Sequence, residues 1–130
     1  MNEIIPAVLE DSYEAVSNAL AALSGEHLQP LTVQIDVCDG QFVRHRTWPL
    51  NPGDRTRFAQ IVKGEEGMPC WQDFNFQVDL MLQDPELHIS SWLAAGASAV
   101  VIHLESRHDW AAVMDAAGQA VELGLAIDLD

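Results

Sequence analysis

The chain has 130 residues and carries 6 Lys and Arg against 20 Asp and Glu, a formal net charge of −14. This length suits one domain with a sizeable hydrophobic core, so we expect residues 1–130 to form a single domain. The acidic charge argues against nucleic acid or an anionic membrane as a partner, because both are bound through clustered basic side chains.

Two further features narrow the class of protein. No apolar run approaches the length of a membrane-spanning helix, and the N-terminus lacks a basic segment followed by an apolar one. The two cysteines, Cys38 and Cys70, are too few and too far apart to suggest a disulfide framework. Two cysteines that form no disulfide framework suit a protein of a reducing compartment, and the sequence therefore predicts a cytoplasmic protein.

Hydrophobic periodicity predicts five strands that alternate with four helices. In chain order, strands are expected over residues 3–9, 31–40, 74–82, 99–105 and 125–130. Helices are expected over residues 11–23, 54–62, 85–95 and 109–122. Asp11 or Ser12 is the expected N-cap of the first helix and Asp84 that of the third, while Gly124 is the expected stop of the fourth. Strands and helices that alternate at short intervals indicate an α/β protein with a parallel sheet.

The second predicted strand carries the residue that most suggests chemistry. Alternation along the strand places Gln34, Asp36 and Cys38 on one face, whereas the opposite face is β-branched and apolar. A buried carboxylate is costly unless it is paired, ligated or solvated in a cleft. Asp36 is therefore a candidate catalytic residue, and the alternative is a carboxylate that caps a loop amide at the strand end.

Residues 34–44 read Gln-Ile-Asp-Val-Cys-Asp-Gly-Gln-Phe-Val-Arg. This stretch resembles the second-strand motif of the ribulose-phosphate 3-epimerase family, which runs roughly His-x-Asp-Val-Met-Asp-Gly-x-Phe-Val-Pro. Three further stretches resemble family motifs in the same order: Ile-Pro-Ala-Val-Leu at 5–9, Gln-Val-Asp-Leu-Met-Leu with a later Pro-Glu at 77–86, and Ala-Gly-Ala followed by His-Leu-Glu at 95–105. The resemblance covers the chain from end to end.

The resemblance implies the first part of a (β/α)8 barrel. Because a closed barrel takes roughly 200 residues or more, five strands and four helices would form a partial, half TIM-type barrel. Such an arc has two sheet edges, and we expect its concave face to expose Val, Ile, Leu and Met side chains. The sequence therefore predicts a homo-oligomer, or a further chain that supplies the missing strands. An unrelated, flavodoxin-like open sheet is the competing fold.

The resemblance also implies a site. The family binds a divalent metal through two His and two Asp, of which Asp36 matches directly and the second Asp lies beyond residue 130. Gln34 and Asp79 stand where the two His stand. These oxygen ligands favour Mg²⁺ or Mn²⁺ over Zn²⁺, and we expect the ion to bind weakly. The alternative is a hydrogen-bonded polar cluster without a metal. The other positions implied for substrate binding are Ala7, Cys38, Met81, His103 and Glu105.

The implied activity is that of an isomerase acting on a pentulose phosphate, a small sugar-phosphate substrate. A carboxylate such as Asp36 would remove the proton next to the carbonyl, with a metal steadying the oxyanion. A non-catalytic half-barrel that acts by assembly or binding is the alternative function. A lone His in an apolar strand is usually a satisfied core histidine, which is the alternative for His103. The remaining histidines, at positions 27, 45, 88 and 108, are predicted to lie on the surface. The four Trp residues are expected to be packing or interface anchors.

Overall fold

The computed structural model describes residues 2–25, 29–118 and 121–129. Within them, five strands alternate with four α-helices, as the sequence predicts. In chain order these elements are β1 (Ala7–Val8), α1 (Tyr13–Leu23), β2 (Leu31–Cys38), α2 (Arg55–Val62), β3 (Phe74–Met81), α3 (Glu86–Ala94), β4 (Ala97–His103), α4 (Trp110–Ala117) and β5 (Glu122–Ala126).

The five strands form one sheet in the sequential order β1-β2-β3-β4-β5, and every neighbouring pair is parallel. A flavodoxin-like sheet would instead follow the order 2-1-3-4-5. Sequential parallel strands with a helical crossover between successive strands are the arrangement of a β/α barrel. The predicted fold class, a partial TIM-type barrel of βα repeats, is therefore confirmed.

Several element boundaries differ from the prediction, most clearly around α4. This helix was predicted to continue to Glu122 and to stop at Gly124, but it ends at Ala117, followed by Gly118 with a φ of +61°. Glu122 begins β5, and Gly124 lies inside that strand in register with Val101. The first strand is also much shorter than predicted, because only Ala7 and Val8 pair with β2.

The helix caps follow the prediction in part. The Ser12 hydroxyl accepts a hydrogen bond from the Ala15 amide at the start of α1, so Ser12 is the N-cap. Asp84 does not cap α3, whose first residue is Glu86. Its carboxylate forms an ion pair with the Arg107 guanidinium instead. The last residue of the chain, Asp130, and His27 lie outside the described residues.

The hydrophobic core lies between one face of the sheet and the helices. Alternate residues of the three central strands point into it, and α1 to α4 contribute the opposing side chains. Among the fully buried members are Val33, Ile35, Val37, Val78, Leu80, Val100 and Ile102 from the sheet, and Leu20, Ile61, Ile89, Trp92 and Val113 from the helices. This burial fixes the strand register, because a one-residue slip would turn each apolar side chain away from the helices.

The opposite face of the sheet is open and largely polar. Gln34 is in register with Gln77, and Asp36 with Asp79, and all four side chains are partly buried. The expectation that this concave face exposes Val, Ile, Leu and Met side chains holds, within the described strands, only for Val101 and Met81, which are partly exposed there. Period-two alternation sends the other large apolar side chains to the helices, leaving Gln and Asp on the open side.

An aromatic cluster closes the core beneath the loop after β2. Trp48 is fully buried, with its ring centroid 5.5 Å from that of Phe58 and 5.8 Å from that of Trp92. Trp48 and Trp92 are therefore packing residues, as predicted, whereas Trp71 and Trp110 are exposed by 60% and 44%. None of the helices among the described residues has the length and apolarity needed to cross a membrane.

Candidate active site

A row of polar side chains crosses from β3 to β2 on the open face of the sheet. The Gln77 amide donates to the Gln34 side-chain oxygen at 2.7 Å, and the Gln34 amide donates to Asp36 Oδ1 at 2.7 Å. The in-register pairing of β2 with β3 makes this chain of bonds possible, because each Gln lies two residues before an Asp on the same face. The two glutamines thus hold one oxygen of Asp36 in a fixed direction.

The second carboxylate of the cluster is paired with a histidine. His103, the last residue of β4, places Nε2 at 2.8 Å from Asp79 Oδ1, and the two side chains are only 19% and 14% exposed. The Phe42 ring lies against the imidazole with a centroid distance of 5.4 Å. This partial shielding strengthens the pair relative to one in bulk water. The structure therefore brings Asp36, Asp79 and His103 together on one face of the sheet.

The environment makes both carboxyl groups weaker acids than usual. Burial is the main reason that the pKa of Asp36 is raised; the neighbouring Asp79 raises it further, while the Gln34 hydrogen bond and His103 act in the opposite direction. Burial also raises the pKa of Asp79, against the lowering effect of His103. A raised pKa makes a carboxylate a stronger base, which suits a group that removes a proton from carbon.

Asp39, the second acidic residue of the β2 motif, is used structurally. Its carboxylate accepts hydrogen bonds from the backbone amides of Gln41, Phe42 and Gln83 at 2.7 to 2.9 Å. Partial burial would raise the pKa of this group, but the three amide donors outweigh burial and hold the pKa below its usual range. Gly40 follows with a φ of +79°. Asp39 and Gly40 therefore shape the loop that carries Phe42 to His103.

A cleft of about 360 Å³ opens at the carboxyl end of β3, β4 and β5. Met81, His103 and Glu105 line it, together with Phe42 and Val43. Three of the residues predicted to bind substrate thus share one cleft. The described strands end towards the same edge of the sheet, which is where β/α barrels place their active sites. In this cleft Glu105 is exposed, and its Oε1 accepts a hydrogen bond from the Asp128 amide.

The two remaining predicted substrate-binding residues are less suited to polar chemistry. Cys38 is 2% exposed, and burial, aided by nearby acidic groups, raises the pKa of its thiol to about 11, so that it is protonated at neutral pH. Ala7 lies in register with Gln34 at the outer strand and offers only a methyl group. Neither residue has a polar side-chain contact with Asp36 among the described residues.

Sequence reasoning did not select Gln77 or Phe42 as site residues. Gln77 lies two residues before Asp79, just as Gln34 lies before Asp36. Aligning the two strands in register would have shown the repeated Gln-x-Asp pattern and predicted the hydrogen bond between the glutamines. Phe42 could not be found in this way, because its contact with His103 depends on the conformation of the loop.

The predicted surface histidines divide into two groups. His45 is exposed, and its Nε2 lies 2.7 Å from Asp11 Oδ1 on the surface. His88 and His108 are partly buried instead. His88 lies in the first turns of α3, and the Nδ1 atom of His108 lies 2.7 Å from the Ser106 carbonyl oxygen. The prediction of a surface position is thus wrong for these two residues.

The donor atoms of the cluster are a poor fit for a divalent metal. Gln34 turns its amide nitrogen, not its oxygen, towards Asp36, and Oδ1 of Asp79 is taken by His103. Within the described residues, no group of three or more His, Cys, Asp and Glu side chains could hold a metal ion. Binding Mg²⁺ or Mn²⁺ through Gln34, Asp36 and Asp79 would require the Gln34 amide to rotate and the His103 pair to open.

The fold and the cluster define an α/β protein of the β/α-barrel type with acidic side chains at the barrel's inner face. The family model described as ribulose-phosphate 3 epimerase matches residues 3–128, nearly the whole chain. The chain therefore belongs to the ribulose-phosphate 3-epimerase family. No curated protein matches it. At the level of the family, membership supports an isomerase-like function on a sugar phosphate, and the family is generally metal-dependent.

Replacing Asp36 with Asn tests the electrostatic description of the cluster. Because burial and Asp79 raise the pKa of Asp36, the charged form is the unfavourable one in the fold, and this cost is present at neutral pH. We expect D36N to raise the melting temperature by a few degrees at pH 7. This increase in melting temperature should shrink as the pH falls below the raised pKa of Asp36. It should vanish once the pH is below the pKa of an ordinary Asp, because the wild-type carboxyl group is then protonated in both the folded and the unfolded state. The matched control is the exposed Asp115→Asn; an equal gain from both substitutions would contradict the description.

Metal affinity should depend on whether Asp79 is free. Titration of the wild-type protein with millimolar Mn²⁺ should leave the melting temperature unchanged. In the His103→Asn variant Asp79 is released, and binding with a Kd one-tenth of the Mn²⁺ concentration would add about 1.4 kcal/mol to the free energy of unfolding. A Mn²⁺-dependent rise of equal size in both proteins would show that the His103 pair does not block the site.

Proposed function

We propose that this protein is an isomerase that moves a proton at the carbon next to the carbonyl of a pentulose phosphate, with Asp36 as the base. The single observation that best supports this role is the position of Asp36. It is a partly buried carboxylate with a raised pKa, held by the Gln34 amide on the open face of a parallel strand. Family membership supports the substrate class.

The proton-transfer step follows from the chemistry of such a carboxylate. Asp36 would take the proton from the carbon next to the carbonyl, and the electron pair would move to the carbonyl oxygen to form an enediolate. The Gln34 amide donates to Oδ1 of Asp36, and we assign proton removal to the other carboxylate oxygen, Oδ2. His103, held by Asp79 through Nε2, would lie beside the substrate, and its Nδ1 atom would donate a hydrogen bond to the developing oxyanion when that nitrogen carries a proton.

Inversion of the carbon requires a proton donor on the opposite face of the substrate. All members of the described cluster project from one face of the sheet, so each reaches the substrate from the same side. We infer that the opposing donor comes from outside the described residues, either from further barrel strands or from a second chain. The described arrangement alone supports exchange of the proton with solvent better than epimerisation.

Incubation with ribulose phosphate in heavy water separates exchange from inversion. We expect deuterium to enter the carbon next to the carbonyl faster than the epimer forms, with NMR and a coupled enzyme assay as the two measurements. D36N should reduce exchange by about 10² or more, the usual contribution of a general base. Asp115→Asn, an exposed substitution on α4, should exchange at the wild-type rate. Exchange that survives in D36N would remove Asp36 from this role.

The second candidate is a non-catalytic half-barrel that acts by binding or assembly. Two observations favour it: Asp79 is paired with His103, and the Cys38 thiol is protonated, so neither group is free for polar chemistry.

In either case we propose a cytoplasmic protein, because both described cysteines are free thiols. Neither candidate involves nucleic acid or a membrane surface, given the charge of −14.

We further propose that the chain assembles into a homo-oligomer, or with a chain that supplies additional strands. In the described sheet β1 and β5 each pair on one side only, and unpaired strand edges favour association. Light scattering over a micromolar concentration series should show a dimer or larger species. Because each copy carries a charge of −14, association should strengthen when salt is raised. A monomer at every concentration and salt level would contradict the proposal.

A further inference from the structure

Two cavities lie beside α2, α3 and the loop that follows β2, away from the polar cluster. One has a volume of about 490 Å³ and a mainly apolar wall that includes Phe58 and Val62. The other has a volume of about 240 Å³ and a more polar wall. Leu50, Arg55 and His88 line both cavities, which therefore adjoin. We call the combined space the α2–α3 cleft.

Basic side chains outnumber acidic ones along the cleft: Arg46, Arg55 and Lys63 line it, against Asp39 and Asp84. Both carboxylates are already satisfied, Asp39 by backbone amides and Asp84 by Arg107. Five of the six basic residues fall within residues 44–63, although the chain carries a net charge of −14. Arg57 is used in an ion pair with Glu66 at 3.0 Å. Arg55 and Lys63, which both line the cleft, have no hydrogen bond or ion pair to any side chain within residues 2–25, 29–118 and 121–129. Their cationic groups are therefore available to a ligand.

His88 adds a polar group to the junction of the two cavities. Burial is the main cause that lowers the pKa of its imidazole, so the ring is neutral at pH 7 and keeps one N–H donor. In the described part of the chain this ring makes no side-chain hydrogen bond. The junction thus combines a guanidinium, an imidazole and an apolar wall, and the larger cavity falls in the usual size range of ligand sites, about 300–1,000 Å³.

We propose that the α2–α3 cleft binds a small organic anion with an apolar body, of the phosphate monoester or carboxylate class. The anionic head would lie at Arg55 and Lys63, because a guanidinium donates paired hydrogen bonds to such groups. The apolar body would cover Phe58 and Val62. This site is separate from the proposed isomerase site, since Gln34, Asp36, Gln77, Asp79 and His103 do not line the cleft; Asp39 lines its smaller cavity.

Calorimetric titration with n-octyl phosphate tests the proposal on the whole protein. Octyl phosphate should bind at least about tenfold more tightly than inorganic phosphate, because burying even a few methylenes of the chain contributes more than this. Arg55→Gln should weaken octyl phosphate binding by about tenfold or more, the loss expected for a charged hydrogen bond. Arg44→Gln removes the same charge from an exposed residue outside the cleft and should leave the affinity unchanged.

A second variant separates the apolar cavity from the cationic rim. Ala59 lines the larger cavity from α2, and Ala59→Trp should fill it. We expect this variant to lose affinity for octyl phosphate while binding inorganic phosphate as the wild type does. No binding of octyl phosphate to the wild type, equal affinity for octyl and inorganic phosphate, or equal losses in R55Q and R44Q would each overturn the proposal. All of these outcomes are independent of isomerase activity.

Discussion

The parallel pairing of β2 with β3 in a fixed register is the constraint on which the site depends. The helix-facing apolar residues of both strands, among them Val33, Ile35, Val78 and Leu80, are fully buried, so the register cannot slip without exposing them. The same register places Gln34 beside Gln77 and Asp36 beside Asp79 on the other face. Because neighbouring strands lie about 4.8 Å apart, the core that stabilises the fold also forces two acidic residues together.

The short distance between Asp36 and Asp79 makes it unfavourable for both carboxyl groups to be charged, and the surrounding side chains reduce this repulsion. The Gln34 amide donates to Asp36, and His103 pairs with Asp79. Burial nevertheless outweighs these contacts, and the pKa of each carboxyl group stays raised. A site of this kind lowers the stability of the fold at neutral pH while making the carboxylates more basic, the compromise expected where chemistry, not stability, determines the residues.

Much of the fold could be predicted from the sequence, because the five apolar strands and the capped helices leave strong local patterns. Asp36, Asp79 and His103 could be identified from the family motifs, and alternation alone placed Asp36 opposite an apolar face. The end of α4 could not be found, since both Gly118 and Gly124 are credible stops and only tertiary packing selects between them. Alternation separates the polar from the apolar face of a strand, but it does not say which face the helices cover, and only tertiary packing leaves the polar face open.

The resemblance to the family motifs implies that Gln34 and Asp79 stand where the family has two His ligands. An amide and a carboxylate in place of two imidazoles would make the cluster more negative, and a buried acidic cluster needs a cation or hydrogen-bond donors to offset its charge. In the family, a divalent metal supplies positive charge at the corresponding positions. Here the donors come from the chain itself: the Gln34 amide for Asp36 and the His103 ring for Asp79. The hydrogen bonds of the cluster are thus satisfied by its own side chains, within a parallel sheet whose register is fixed by the apolar face.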